Sequence, residues 1–154
     1  MSRVLILGIG SPSGDDQAGW LTIDALLASG VRNDTDIALH KLDRPGVNLI
    51  SLFENADWVI LVDAMQSGRP VGNIRHFKGH EWSAHDQGLS SHGIGLVEAL
   101  SLAHALGSLP ARLDLYGIDI GPVMPGEMPG ETVQAAAQKL AHLIRLDLDR
   151  PLSD

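Results

Sequence analysis

Two short apolar runs set the terms on which this chain folds. Val4-Leu5-Ile6-Leu7 stops at Gly8 and Gly10, and Trp58-Val59-Ile60-Leu61-Val62 runs straight into Asp63. Continuous β-branched and Leu residues without polar alternation, too few for a buried helix, read as strands covered on both faces. Such a sheet needs helices above and below it, and the intervening segments supply them. Trp20, Ile23, Leu26 and Leu27 recur at helical spacing, with Gly30 as the stop. Residues 36–42 read as a second strand and residues 46–54 as a short helix. Residues 73–77 suit a strand with one wet face, placed at an edge. A polar, His-containing loop over residues 79–91 leads to a helix at 93–106 and a strand at 113–118. The Pro- and Gly-rich stretch 121–130 is too irregular for an element, and a long amphipathic helix at 132–146 closes the chain. The order β-α-β-α-β-β-α-β-α predicts a three-layer α/β/α sandwich, with a mostly parallel five-stranded sheet and helices on both faces. We read residues 1–154 as one domain.

Composition narrows the chemistry. The 154 residues contain no cysteine, which excludes disulfides, thiolate metal sites and a cysteine nucleophile. A net charge of −8, with the eleven Lys and Arg scattered, argues against nucleic acid as a partner. The apolar start is short and is followed at once by Asp15 and Asp16, so it reads as a core strand and not as a signal peptide. No apolar stretch approaches the ~20 residues that span a bilayer. The expectation is a soluble, cytoplasmic protein with no membrane partner.

In an open α/β sheet, sites gather at the carboxyl ends of strands, where the strand order reverses. Asp15 and Asp16 follow the first strand, and Asp63 ends the third. If the strand order is 2-1-3, right-handed crossovers place those two strands side by side, with Asp16 and Asp63 facing one crevice. His92, just before a helix, would close the same site. Two carboxylates and an imidazole form an O/N ligand set that zinc or nickel accepts. Plainer roles compete with this one. Asp15 or Asp16 would serve as a helix cap, Asp63 would cap the next turn, and His92 would be an ordinary helix-start residue.

Other motifs fit less well. Gly8, Gly10 and Gly14 sit between a strand and a helix like a dinucleotide fingerprint, but the third glycine falls one place late. Two aspartates would also meet the pyrophosphate. No Gly-x-Ser-x-Gly elbow supports serine hydrolysis at Ser90 or Ser91. His76 and His80 are four apart but straddle a strand end, so with His85 they read as solvated residues or, at most, secondary ligands. Lys139, Arg145 and Asp147 read as the wet face of the last helix.

Taken together, the motifs resemble a known family. Val4 to Pro12 followed by Gly14-Asp15-Asp16-Gln17-Ala18-Gly19 resembles the opening of the hydrogenase maturation endopeptidases: a strand, a Gly-x-Gly-Asn loop, and an acidic pair before a helical glycine. Val59 to Ala64 resembles their strand ending in Asp-Ala. Ser91-His92-Gly93-Ile94-Gly95-Leu96 resembles their histidine opening a helix, and Leu115 to Ile118 with Pro122 resembles their late strand and loop. The likeness spans nearly the whole chain.

By matching position, the resemblance implies that Asp16, Asp63 and His92 are both the catalytic and the metal-engaging residues. It implies removal of a short C-terminal extension from a NiFe hydrogenase large-subunit precursor after nickel insertion. The nickel would come with the substrate, and zinc or cadmium would be able to occupy the site in vitro. Family members carry Glu or Asp at the first position; Asp16 is shorter than Glu by one bond, about 1.5 Å. Two departures stand out. Ser11 replaces the usual Asn, and Leu42-Asp43-Arg44-Pro45-Gly46 replaces a Gly-Gly-Thr type of turn. That makes Arg44, and more weakly Asp43, candidates for substrate binding. Competing readings are a non-cleaving chaperone that binds nickel or the precursor, and a metal-dependent amidohydrolase acting on small molecules.

Overall fold

The structure, a computed structural model, describes residues 3–43, 48–79, 81–84, 96–122 and 126–149. Its strands are β1 (Val4–Gly10), β2 (Ile37–Asp43), β3 (Trp58–Met65), β4 (Ile74–Lys78) and β5 (Arg112–Asp119). Its helices are α1 (Ala18–Ala28), α2 (Leu49–Leu52), α3 (Leu96–Ala105) and α4 (Glu131–Asp149), with single 3-10 turns at Gly14–Gln17 and Glu81–Ala84. The sheet runs β2-β1-β3-β5-β4; the first four strands are parallel, and β4 pairs antiparallel to β5. The expected five-stranded, mostly parallel sheet and its 2-1-3 order are both present, and β4 is the expected edge.

Side-chain alternation divides the core between the two faces of the sheet. Ile6, Ile60, Val62, Tyr116 and Ile118 pack with α1 and α4, around Ile23, Leu26, Leu140 and Ile144. Leu7, Val59, Leu61, Met65 and Leu115 pack on the other face with α2 and α3, around Leu49, Leu96 and Leu100. Every residue of β1 and β3 is buried, as an unbroken apolar run requires. Among the described residues, no helix is long and apolar enough to cross a membrane.

The structure revises four expectations. Strand β3 does not end at Asp63; it continues to Met65, because β5 stays paired with it as far as Asp119. The loop after β4 is not uniformly wet, since its 3-10 turn buries Trp82 in the core beside α3. The second helix, expected over residues 46–54, is one turn, Leu49–Leu52. Asp147 is not simply solvated: its carboxylate accepts the Tyr116 hydroxyl at 3.4 Å.

Glycine sets how α1 meets the sheet. A Cβ on Gly19 would lie 2.4 Å from the Ile9 carbonyl oxygen and 2.5 Å from that of Val62. One on Gly8 would lie 2.4 Å from the Gly19 oxygen. All three distances are below any tolerated contact, so only a glycine pair lets the start of α1 drop into the notch between β1 and β3. Of the three glycines that resemble a dinucleotide fingerprint, Gly8 therefore serves helix-on-sheet packing.

Candidate functional site

Strand order reverses at β1, with β2 on one side and β3 on the other, so the crevice beyond these strands is where a site is expected. Because Gly19 seats α1 in the notch, the 3-10 turn just before it lies over the ends of β1 and β3. That turn carries Asp16, which is buried, and its carboxylate Oδ2 accepts the Ser11 hydroxyl at 2.6 Å. Ser11 is itself fully buried, and its N–H donates to the Asp16 carbonyl at 3.4 Å. Neither acid here is a helix cap. The caps of the 3-10 turn and of α1 make no side-chain hydrogen bond, and Asp15 accepts the distant Gly130 N–H at 2.7 Å.

Asp63 stands inside β3, on the face shared with Leu61 and Met65, and has no exposed surface. Its Oδ1 accepts the Ala64 N–H at 2.8 Å, and its Oδ2 has no hydrogen-bond partner among the described residues. Burial drives its pKa up to about 8; the Ala64 N–H opposes the shift, and the Asp16 carboxylate adds to it. The structure thus brings Asp16 and Asp63 together. The residue beside Asp63 on β5 is Gly117, where a Cβ would meet the Met65 sulfur at 2.4 Å, so the strand next to the carboxylate carries no side chain.

Of the other sequence candidates, Asp43 ends β2 opposite Gly10, exposed, at the same end of the sheet. Arg44, His80, His85 and His92 lie outside the described residues. Among the described residues, no three His, Cys, Asp or Glu side chains are grouped closely enough to hold a metal ion. The pair that is present has the chemistry for a divalent cation: two buried carboxylates, no thiolate nearby, and the Asp63 Oδ2 without a donor among the described residues.

His76 is exposed, as expected, but it has partners, and it is not near this pair. Its Nε2 lies 2.7 Å from Asp114 Oδ1, and its ring stacks on Tyr116 with centroids 4.2 Å apart. Tyr116 faces α4, the opposite side of the sheet from Asp63. Burial raises the Asp114 pKa, but hydrogen bonds from His76 and Trp58 and the charge of Arg112 outweigh it, so the net shift is downward. A cavity of about 560 Å³ beside this cluster is lined by His76, Tyr116, Lys139 and Asp147 and includes neither Asp16 nor Asp63.

Sequence reasoning treated Ser11 only as a departure and passed over Asp114 and Asp119. The signal for Ser11 was present, a hydroxyl five residues before a buried acid. Asp119 is reachable only through the fold: it is fully buried at the end of β5 and accepts the Ser67 N–H at 2.9 Å and the Asn73 amide at 3.1 Å.

Residues 45–146 match the model of the hydrogenase maturation protease family. The chain is 26% identical over 150 residues to the hydrogenase expression/formation protein HupD of Thiocapsa roseopersicina, covering 96% of this chain and 66% of that protein's length. It superposes on the hydrogenase maturating endopeptidase HybD from E. coli with a TM-score of 0.82 at 24% identity, covering 95% and 91% of the two chains, a likeness of fold. The NiFe hydrogenase maturation protease HycI from Thermococcus kodakarensis gives a TM-score of 0.69 at 28% identity, with 97% and 94% covered. With that match across residues 45–146, and a shared fold, the chain belongs to the hydrogenase maturation protease family.

Proposed function

We propose that this chain is an endopeptidase that removes the C-terminal extension of a NiFe hydrogenase large-subunit precursor after nickel has been inserted. The observation that carries the proposal is Asp63. It is a fully buried carboxylate with one oxygen unmatched among the described residues, held beside a second buried carboxylate at the strand-order reversal. A fold retains such a costly arrangement for a role beyond stability. Nickel belongs to the substrate in this reading, and Asp16, Asp63 and His92 engage it there. Without a cation Asp63 holds a proton at neutral pH, and an incoming divalent ion displaces it. Ser11 keeps the Asp16 carboxylate aimed into the crevice. In the alternative route, Asp16 or Asp63 does not hold the cation and serves instead as general base for the attacking water. Asp43, at the β2 rim of the same end, and Arg44, which follows it in the sequence, are the residues we assign to contact with the precursor outside the reacting centre. The site of action is the cytoplasm.

The test is the mass of a large-subunit precursor incubated with this protein, in nickel-loaded and nickel-free forms. Loss of a short C-terminal peptide from the nickel-loaded form alone is the expected result. Tight binding of the precursor with no change of mass would replace the protease by a maturation chaperone.

A further inference from the structure

The three tryptophans of the chain have different surroundings. Trp58 packs in the core on the α1 and α4 face of the sheet, and Trp82 in the core on the α2 and α3 face. Trp20 belongs to neither core and is half-buried, although its helical spacing with Ile23 and Leu26 predicts a core residue. It lies in the first turn of α1, four residues after Asp16, and reaches the carboxyl ends of β1 and β2. Its indole Nε1–H donates to the Leu42 carbonyl at 2.9 Å. A Cβ on Gly10, the last residue of β1, would lie 2.7 Å from the Asp16 carbonyl oxygen and 3.3 Å from the same indole nitrogen. The bare backbone of Gly10 thus lets the Asp16 turn and the indole close over one point, with the Leu42 carbonyl beside them.

The position of this bond matters because β2 is an edge strand. Among the described residues β1 is its one strand partner, and the pairing ends at Gly10 and Asp43. Past Gly10 the chain leaves β2 and turns to Asp16, where the Ser11 N–H donates to the Asp16 carbonyl at 3.4 Å. The indole N–H, a donor only, therefore ties β2 to the Asp16 side of the crevice just where the ladder stops. A contact residue at a strand end is placed only as well as that end is held. Holding it before binding reduces the ordering cost that a bound polypeptide must offset.

We infer that Trp20 is a positioning residue for precursor binding: its indole holds the end of β2, and with it Asp43, in place beside the turn that carries Asp16. This rests on the proteolytic reading above, with Asp43 as a contact to the precursor. The test measures Kd, KM and kcat with nickel-loaded precursor for wild type, Trp20→Phe, Trp20→Leu, Asp43→Asn and the double variant Trp20→Phe/Asp43→Asn, each checked for its fold by its thermal midpoint. Trp20→Phe keeps a ring over Gly10 and removes the N–H. It is expected to raise KM and Kd about fivefold, the worth of one neutral hydrogen bond, with kcat held within twofold. Trp20→Leu, which removes the ring as well, is expected to follow in the same direction. The double variant is expected to bind no worse than the weaker of its two parents, because Trp20 acts through Asp43. A purely structural role would leave KM unchanged in the folded fraction. Trp20 or Asp43 variants that bind like wild type would overturn the assignment and leave the protease intact. So would a fall in kcat with KM unchanged, or single effects that multiply in the double variant. A wild-type protein that neither binds nor cleaves the precursor would overturn both readings together.

Discussion

Replacing Asp63 by Asn tests the cost of the buried carboxylate directly. The folded-state pKa, about 8, lies above the ordinary carboxyl value of 3.8, so the native state binds a proton that the unfolded chain has released. The contribution of Asp63 to stability is therefore intact below about pH 4 and is lost as pH rises towards 8, the reverse of a salt-bridged aspartate such as Asp114. At 1.36 kcal/mol per unit, ionisation of Asp63 costs the metal-free protein about 5 kcal/mol by pH 8.5, and about 1 kcal/mol at pH 4.5. Asn carries no charge, but its amide is left poorly matched at a cost of about 1–3 kcal/mol at every pH. Asp63→Asn should then be equal to or slightly less stable than wild type at pH 4.5, cross it near pH 5 to 6 (roughly), and be more stable by about 2–4 kcal/mol at pH 8.5. Urea denaturation of both proteins in chelator-treated buffer at pH 4.5, 6, 7.5 and 9 reads this difference. A stability difference that does not change with pH would refute the argument, since it would mean that Asp63 is ionised alike in both states.

Three further substitutions probe the scaffold. Gly19→Ala should cost about 3 kcal/mol or prevent folding, because its methyl would meet the backbone of both β1 and β3; the thermal midpoint and expression yield report it. Asp119→Ala should cost about 3 kcal/mol by stranding the donors of Ser67 and Asn73, and hydrogen exchange should show faster opening of residues 66–73 than of β1. Ser11→Ala should lower precursor processing about tenfold at a stability cost of about 1 kcal/mol, by removing the donor that holds Asp16, and Ser11→Thr should restore most of the rate.

Much of the sheet was legible because its evidence is local. The runs 4–7 and 58–62 declare strands buried on both faces, and the handedness of crossovers then leaves few orders, among them the observed β2-β1-β3. The wet face of β4 placed it at an edge. Asp16 and Asp63 were legible as a pair for the same reason, since each follows one of the two apolar runs and adjacent strands bring the ends of those runs together. What stayed hidden depends on contacts across long sequence separations. Asp63 read as a strand end because a carboxylate normally terminates an apolar run; only the continued pairing with β5 keeps it inside β3. His76 read as solvated, and it is exposed, but its bond to Asp114 stayed hidden because that partner is 38 residues away. Trp82 sits in a polar stretch whose composition masks one buried ring. Asp119 binds residues 46 and 52 positions away, which no periodicity reveals.

The most direct test of the account is single-turnover cleavage of nickel-loaded precursor by wild type, Asp16→Asn and Asp63→Asn, each checked for its fold. The account predicts folded variants, Asp63→Asn with a raised midpoint at pH 8, whose cleavage rates fall by about a thousandfold. Folded variants that cleave within a few-fold of wild type would contradict it, and would place the chemistry away from the β1–β3 crevice.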